Sequence, residues 1–152
     1  MIRYYRELQR KDFENAGSLD NPSIMLDSVG EGIRFCGGRP ADYMHIYINV
    51  RDDRIEDIRY LCNCDPTANV AVEVLCNLVR GRTLEEVEAT TEDSIFLAVG
   101  SRSEQLQKKA KGLLELMGRG LVRYRAQTGA SAGPVYAVFD AERDGPRSTG
   151  PT

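Results

Sequence analysis

The sequence has no surplus of positive charge. Lys and Arg number 20 against 23 Asp and Glu, for a formal net charge of -3 and a pI of about 5.3. A dedicated nucleic-acid binder would carry a basic excess to neutralise phosphates, so that class is excluded. Long apolar runs are missing as well. No segment approaches the roughly 20 residues needed to cross a bilayer, and the opening "MIRYYRELQRKD" is charged where a signal peptide would be apolar. The expectation is a cytoplasmic protein with no membrane and no nucleic acid among its partners. There is one histidine, His45, and there is no Ser/His/Asp set, no phosphate-binding glycine loop and no pair of carboxylates at acid–base spacing. Nothing points to a conventional enzyme. Four cysteines in a reducing compartment are expected to be mostly free thiols or metal ligands rather than a disulfide framework.

What is present suits one folded domain. The chain has 152 residues, 41% hydrophobic and 28% charged. A chain of this size buries roughly 68–70% of its unfolded surface, so neither metal nor disulfide is required for folding. Residues 3–14 read as a short helix with Gly17 as a C-cap, and "IMLDSVGEGIRFC" as an irregular strand or two. "YMHIYINV" (43–50) is the clearest strand, with Met44, Ile46, Ile48 and Val50 on one face and Tyr43, His45, Tyr47 and Asn49 on the other. "RDDR" turns the chain and "IEDIRYLC" (55–62) returns as its partner.

Helical signals follow. Asp65 can N-cap and Pro66 can occupy the first helical position, with Ala68, Ala71, Leu75 and Leu78 at helical spacing and an end near Gly81. Thr83 and Glu86 form one capping-box signal, and Ser101 and Glu104 another. "TEDSIFLAVG" between them reads as a short helix. The second signal opens a long helix whose apolar face is Leu106, Ala110, Leu113, Met117, Leu121 and Tyr124. From Gly129 the chain is rich in Gly, Pro, Ser and Ala. Strands first and helices afterwards predict an α+β domain over residues 1–127, a small antiparallel three-stranded sheet with helices packed on one face, followed by a flexible tail over 128–152.

The cysteines carry the chemistry. "YLCNCDPTAN" places Cys62 and Cys64 one residue apart at the strand end, on the same side if the strand continues through residue 64. Cys64 also lies at a helix N-terminus, where free N–H groups favour a thiolate. A pair of this kind is core filler, a redox pair or a set of metal ligands. Iron and zinc prefer thiolate sulfur with Asp or His completing the set. Cys76, eleven residues beyond Asp65 on the same helix, shares a face with Val72 and Val79 and reads as a small buried hydrophobe. His45, between two tyrosines, reads as a surface or interface residue.

"NAGSLDNP", "GEGIRFCG", "DYMHIYINV", "IEDIRY" and "LVRGRTLEEV" together resemble the U-type iron–sulfur cluster assembly scaffolds, the IscU/NifU family, from about residue 3 to about residue 125. The family's activity rests on three cysteines and an aspartate. Cys36 and Gly37 match the first two residues of its Cys-Gly-Asp motif. The aspartate is either replaced by Gly38 or displaced to Asp42 by an insertion of Gly38 to Ala41; the second is preferred, because Asp42 stands directly before the strand. The family's second cysteine falls on Asp65, with Cys64 one position earlier and Cys62 an addition. Its third, after a histidine, falls on Ala110, with Lys109 at the histidine position. The resemblance implies a scaffold that takes sulfur from a cysteine desulfurase as a persulfide, builds a labile two-iron cluster and passes it to apo iron–sulfur proteins. The implied ligands are Cys36, Cys62, Cys64 and Asp42, with Asp65 a further metal-ligand candidate, and zinc is possible in place of the cluster. On this reading the Cys62–Cys64 pair compensates for the alanine at 110. The competing readings are a cluster-less relative that binds a partner protein and a zinc-binding or thiol-redox protein.

Overall fold

The computed structural model describes residues 6, 10, 13–33 and 41–128. Arg6 and Arg10 are helical, while the rest of the helix expected over 3–14, Cys36, and the tail expected over 128–152 apart from Thr128 lie outside the described residues. The elements run β1 (Ile24–Asp27), β2 (Tyr43–Arg51), β3 (Arg54–Asn63), α1 (Pro66–Val79), α2 (Leu84–Glu88), α3 (Glu92–Val99) and α4 (Glu104–Thr128). The three strands form one antiparallel sheet in the order β1-β2-β3. The helices pack on one face of it, as the expected α+β class requires. No helix among the described residues is long and apolar enough to cross a membrane.

Alternation sets the sheet. Met44, Ile46 and Ile48 are buried beside Ile24 and Leu26 of β1 and Ile58 and Tyr60 of β3. Their neighbours Tyr43, His45 and Tyr47 stand on the opposite face in a row of ring contacts. The β2–β3 hairpin turns on Asp52 and Asp53, both at positive φ (52° and 63°), a conformation that Asp tolerates better than most residues and that suits strand twist. Register shifts beyond Asn49, where Val50 pairs with Ile55 but Asn49 with Asp57. The extra residue on β3 is a bulge. It moves the buried positions from Ile55 to Ile58 and Tyr60, so alternation alone gives the wrong phase across it.

Helix α1 lies between the sheet and the other helices. Asp65 caps it, accepting from Ala68 N at 2.8 Å, and Pro66 opens it. It stops as Gly81 turns at φ 83° and donates its N–H to Ile55 O at 2.8 Å. Ala68, Val70, Ala71, Val72, Val74, Leu75, Cys76 and Val79 are all buried, which leaves α1 almost no solvent face. The Thr83–Glu86 capping box of α2 forms in both directions. Helix α3 ends at Gly100 in the left-handed region, φ 79°. The expected Ser101–Glu104 box does not form. Ser103 caps α4 by accepting from Leu106 N at 3.2 Å, and Ser101 Oγ accepts from Ser103 N. The helix begins at Glu104 itself, which leaves that side chain too early to reach back as the third residue of a box. Gly120 lets α4 meet β1: a Cβ there would stand 2.4 Å from Leu26 Cδ2.

One polar network crosses this core. Glu73 of α1 is 1% exposed. Asn15 donates to it from its backbone N and from Nδ2, and the Tyr60 hydroxyl lies 3.0 Å from Glu73 Oε1 and 2.7 Å from Asn69 Oδ1. Asn15 Nδ2 also reaches Asn77 Oδ1 at 3.0 Å. Asn15 O accepts from Tyr60 N and Gly17 N donates to Tyr60 O, so the segment before β1 is tied to both β3 and α1. Burial, then the Glu73 carboxylate, pushes the Tyr60 hydroxyl well above its ordinary value, and it remains a proton donor at any physiological pH. Glu73→Ala strands several of these buried donors at about 1–3 kcal/mol each. The expected loss is about 2–4 kcal/mol, read as a lower urea midpoint with an unchanged slope.

Candidate functional site

The β2–β3 pairing fixes where the candidate residues meet. Tyr43 faces Asn63 and Met44 faces Cys62, so the end of β3 lies beside the start of β2. Asn63 Nδ2 donates to Ala41 O at 3.0 Å, and Cys64 Sγ lies 3.3 Å from Tyr43 O. Asp42, 7% exposed, sits at the entry to β2. Ser28 anchors that entry, donating its N–H to Met44 O and accepting from Met44 N through its hydroxyl. Cys62, Cys64 and Asp42 therefore occupy one end of the sheet at the N-terminus of α1. Cys36 lies outside the described residues.

The two thiols differ in setting. β3 ends at Asn63, one residue short of the continuation that alternation needs to put Cys64 on the same side as Cys62. Cys62 stays on the core side of the strand with Tyr60 and is a half-buried free thiol. Burial pushes it up to about 11, and the neighbouring Asp65 carboxylate adds to the shift. Cys64, expected as a free thiol or ligand, is instead in a disulfide. Cys76 is fully buried and free, in keeping with the core role expected of it, and burial raises its thiol well above the ordinary range.

Asp65 performs the capping expected from sequence and has a second partner that the sequence did not suggest. One oxygen accepts from Ala68 N, and the other lies 2.9 Å from Lys109 Nζ. Lys109 is 13% exposed on its side chain, and the next residue, Ala110, is fully buried in the core. The positions at which the family resemblance sought a cysteine, a histidine and another cysteine thus hold an ion pair and a core alanine. A separation of 44 residues hides such a pair from any local pattern. His45 stands on the outer sheet face, 3.5 Å from Asp27, away from the thiols. Among the described residues, no three His, Cys, Asp or Glu side chains are grouped to hold a metal ion.

The Cys62 shift has a measurable consequence. The folded state holds this proton above the ordinary thiol pKa, so the contribution of Cys62 to stability falls as pH rises past about 9 and levels off above about 11. Iodoacetamide alkylation of Cys62, resolved by peptide mass mapping, is expected to reach half its maximal rate near pH 11. Half-maximal reaction near 9 would mean that the thiol is solvated.

The family model described as NifU-like N terminal domain matches residues 9–131. The chain is 29% identical over 116 residues to the iron-sulfur cluster assembly scaffold proteins IscU 1 and IscU 2 of Archaeoglobus fulgidus, covering 76% of this chain and 71% of each relative. Among solved structures it is similar to a proposed iron-sulfur cluster assembly scaffold protein for the SUF system from Fervidobacterium islandicum AW-1, with 13% identity, 78% of this chain and 93% of that chain covered and a TM-score of 0.49. It is also similar to the N-terminal part of a nitrogen-fixing NifU-like protein from Brucella abortus, with 15% identity, 86% and 88% covered and a TM-score of 0.42. Among the described residues the matched span takes in the three strands, helices α1 to α4 and both cysteines of the β3–α1 junction, and the chain belongs to the NifU-like N terminal domain family.

Proposed function

We propose that this chain is an iron–sulfur cluster assembly scaffold with a rewritten ligand set. The observation that carries the reading is the thiol-bearing junction at residues 62–65, set against the buried Asp42 at the start of β2, within a chain of this family. The cluster is cargo: it is built on the protein and handed on. Soft thiolates suit iron, and a carboxylate is a weaker ligand that keeps the cluster exchangeable. The proposed ligands are Cys36, Cys62, Cys64 and Asp42. Asp65 is left out, because each of its oxygens already has a donor. The partners are a cysteine desulfurase and apo iron–sulfur proteins. A desulfurase persulfide passes its outer sulfur to a scaffold thiolate and regains its own thiolate, so no net oxidant is needed. Two-iron clusters are the proposed cargo, with zinc able to occupy the same thiolates.

A second reading, a cluster-less relative acting as a protein-interaction module, draws on the buried Ala110 and the engaged Asp65. Anaerobic reconstitution with iron and sulfide separates the two. The disulfide at Cys64 has to be opened first by a dithiol, so loading is expected only after reduction. The reduced protein should then develop visible absorption with matched iron and sulfide. Cys62→Ser and Cys64→Ser should each lose most of it. Equal content in wild type and Cys62→Ser would end the compensating role given to Cys62. A reduced wild-type protein that stays colourless and soluble favours the cluster-less module. Cys76→Ala is expected to load fully and to cost about 1 kcal/mol of stability, with Cys76→Ser costing more because a buried hydroxyl needs a partner. Iron analysis beside thermal unfolding checks both.

A further inference from the structure

We infer that Asp65 and Lys109 form a metal-independent clamp that holds the thiol-bearing β3–α1 junction against α4, which makes Asp65 a positioning residue and not a ligand of the cargo. The functional meaning rests on the scaffold reading; the clamp itself does not. Three positive features converge on the Asp65 carboxylate: the ammonium of Lys109 at 2.9 Å, the Ala68 N–H at 2.8 Å and the N-terminal end of α1. Lys109 is delivered by a fixed piece of backbone. Ser103 caps α4 just upstream, and Leu106, Ala110 and Leu113 are fully buried around it. Its side chain is 13% exposed, so the stem lies along the protein and the head group has little water to fall back on.

An exposed ion pair contributes little to stability. This one differs in being partly withdrawn from water and in joining two elements 44 residues apart. The clamp acts on the residue next to Cys64. The ion pair and the cap hold the junction without calling on a metal.

The test uses the reduced, metal-free full chain. Asp65→Asn keeps a capping acceptor and loses the charge; Lys109→Met keeps the stem and loses the ammonium. Each is expected to lower Tm by about 2–8 °C, with the double variant no worse than the worse single. Amide hydrogen exchange over residues 62–65 should accelerate several-fold in each single variant, and Lys109→Arg should restore the wild-type rate. After reconstitution below every Tm, Asp65→Asn should hold wild-type iron and sulfide per folded chain. Additive Tm losses, or unchanged exchange, would remove the clamp. Lost iron in Asp65→Asn with wild-type Tm and exchange would make Asp65 a ligand and overturn the inference. A wild type that binds no iron sinks the scaffold reading, while coupled Tm losses in the same apo-proteins still support the clamp.

Discussion

Helix α1 has nearly no face turned to water, and the rest of the structure depends on that burial. Its apolar residues fill much of the space between the sheet and the helices α3 and α4, so it packs against β3, α3 and α4 at once. A helix enclosed in this way has no spare tolerance at its ends. Its N-terminus is satisfied by Asp65, and the N–H of Arg80 closes onto Cys76 O at its C-terminus. The glycine that follows hands the chain back to β3 through Ile55. In its middle it carries a carboxylate, Glu73, that only the Asn15 and Tyr60 donors make tolerable there.

The candidate site is a by-product of the same packing. The end of β3 has to turn directly into α1, and it does so beside the start of β2 because the hairpin register puts it there. Two sulfurs, a buried carboxylate and a helix N-terminus are brought together at the one corner where strand becomes helix. Such corners combine free N–H groups with partial exposure, and both favour anionic ligands. Part of this corner is closed by charge: an aspartate and a lysine meet at 2.9 Å beside an alanine with no exposure at all.

A thiolate can bind and release a soft metal; an ion pair between α1 and α4 cannot, but it holds the two helices without one. Cys62 and Cys64 put sulfur on the junction itself, where one thiol is half-buried and the other sulfur is oxidised. On the proposed ligand set, loading requires that the disulfide be reduced first.

The sequence by itself determined the element order, the buried face of β2, the Asp65 cap, the Thr83–Glu86 box and the apolar seam of α4. Each of these rests on residues close enough in the chain for spacing to encode them. It also separated Cys76 from the other cysteines, because helical rise alone puts it far from residue 65. Only the tertiary structure decided the phase of β3 across its bulge, the cap of α4 at Ser103, the Glu73 network, the oxidised state of Cys64 and the pairing of Asp65 with Lys109. The network, the disulfide and the ion pair join side chains that folding makes neighbours. The bulge and the cap each move by a single residue, a step that local propensity does not resolve but that partner strands and buried helix faces do.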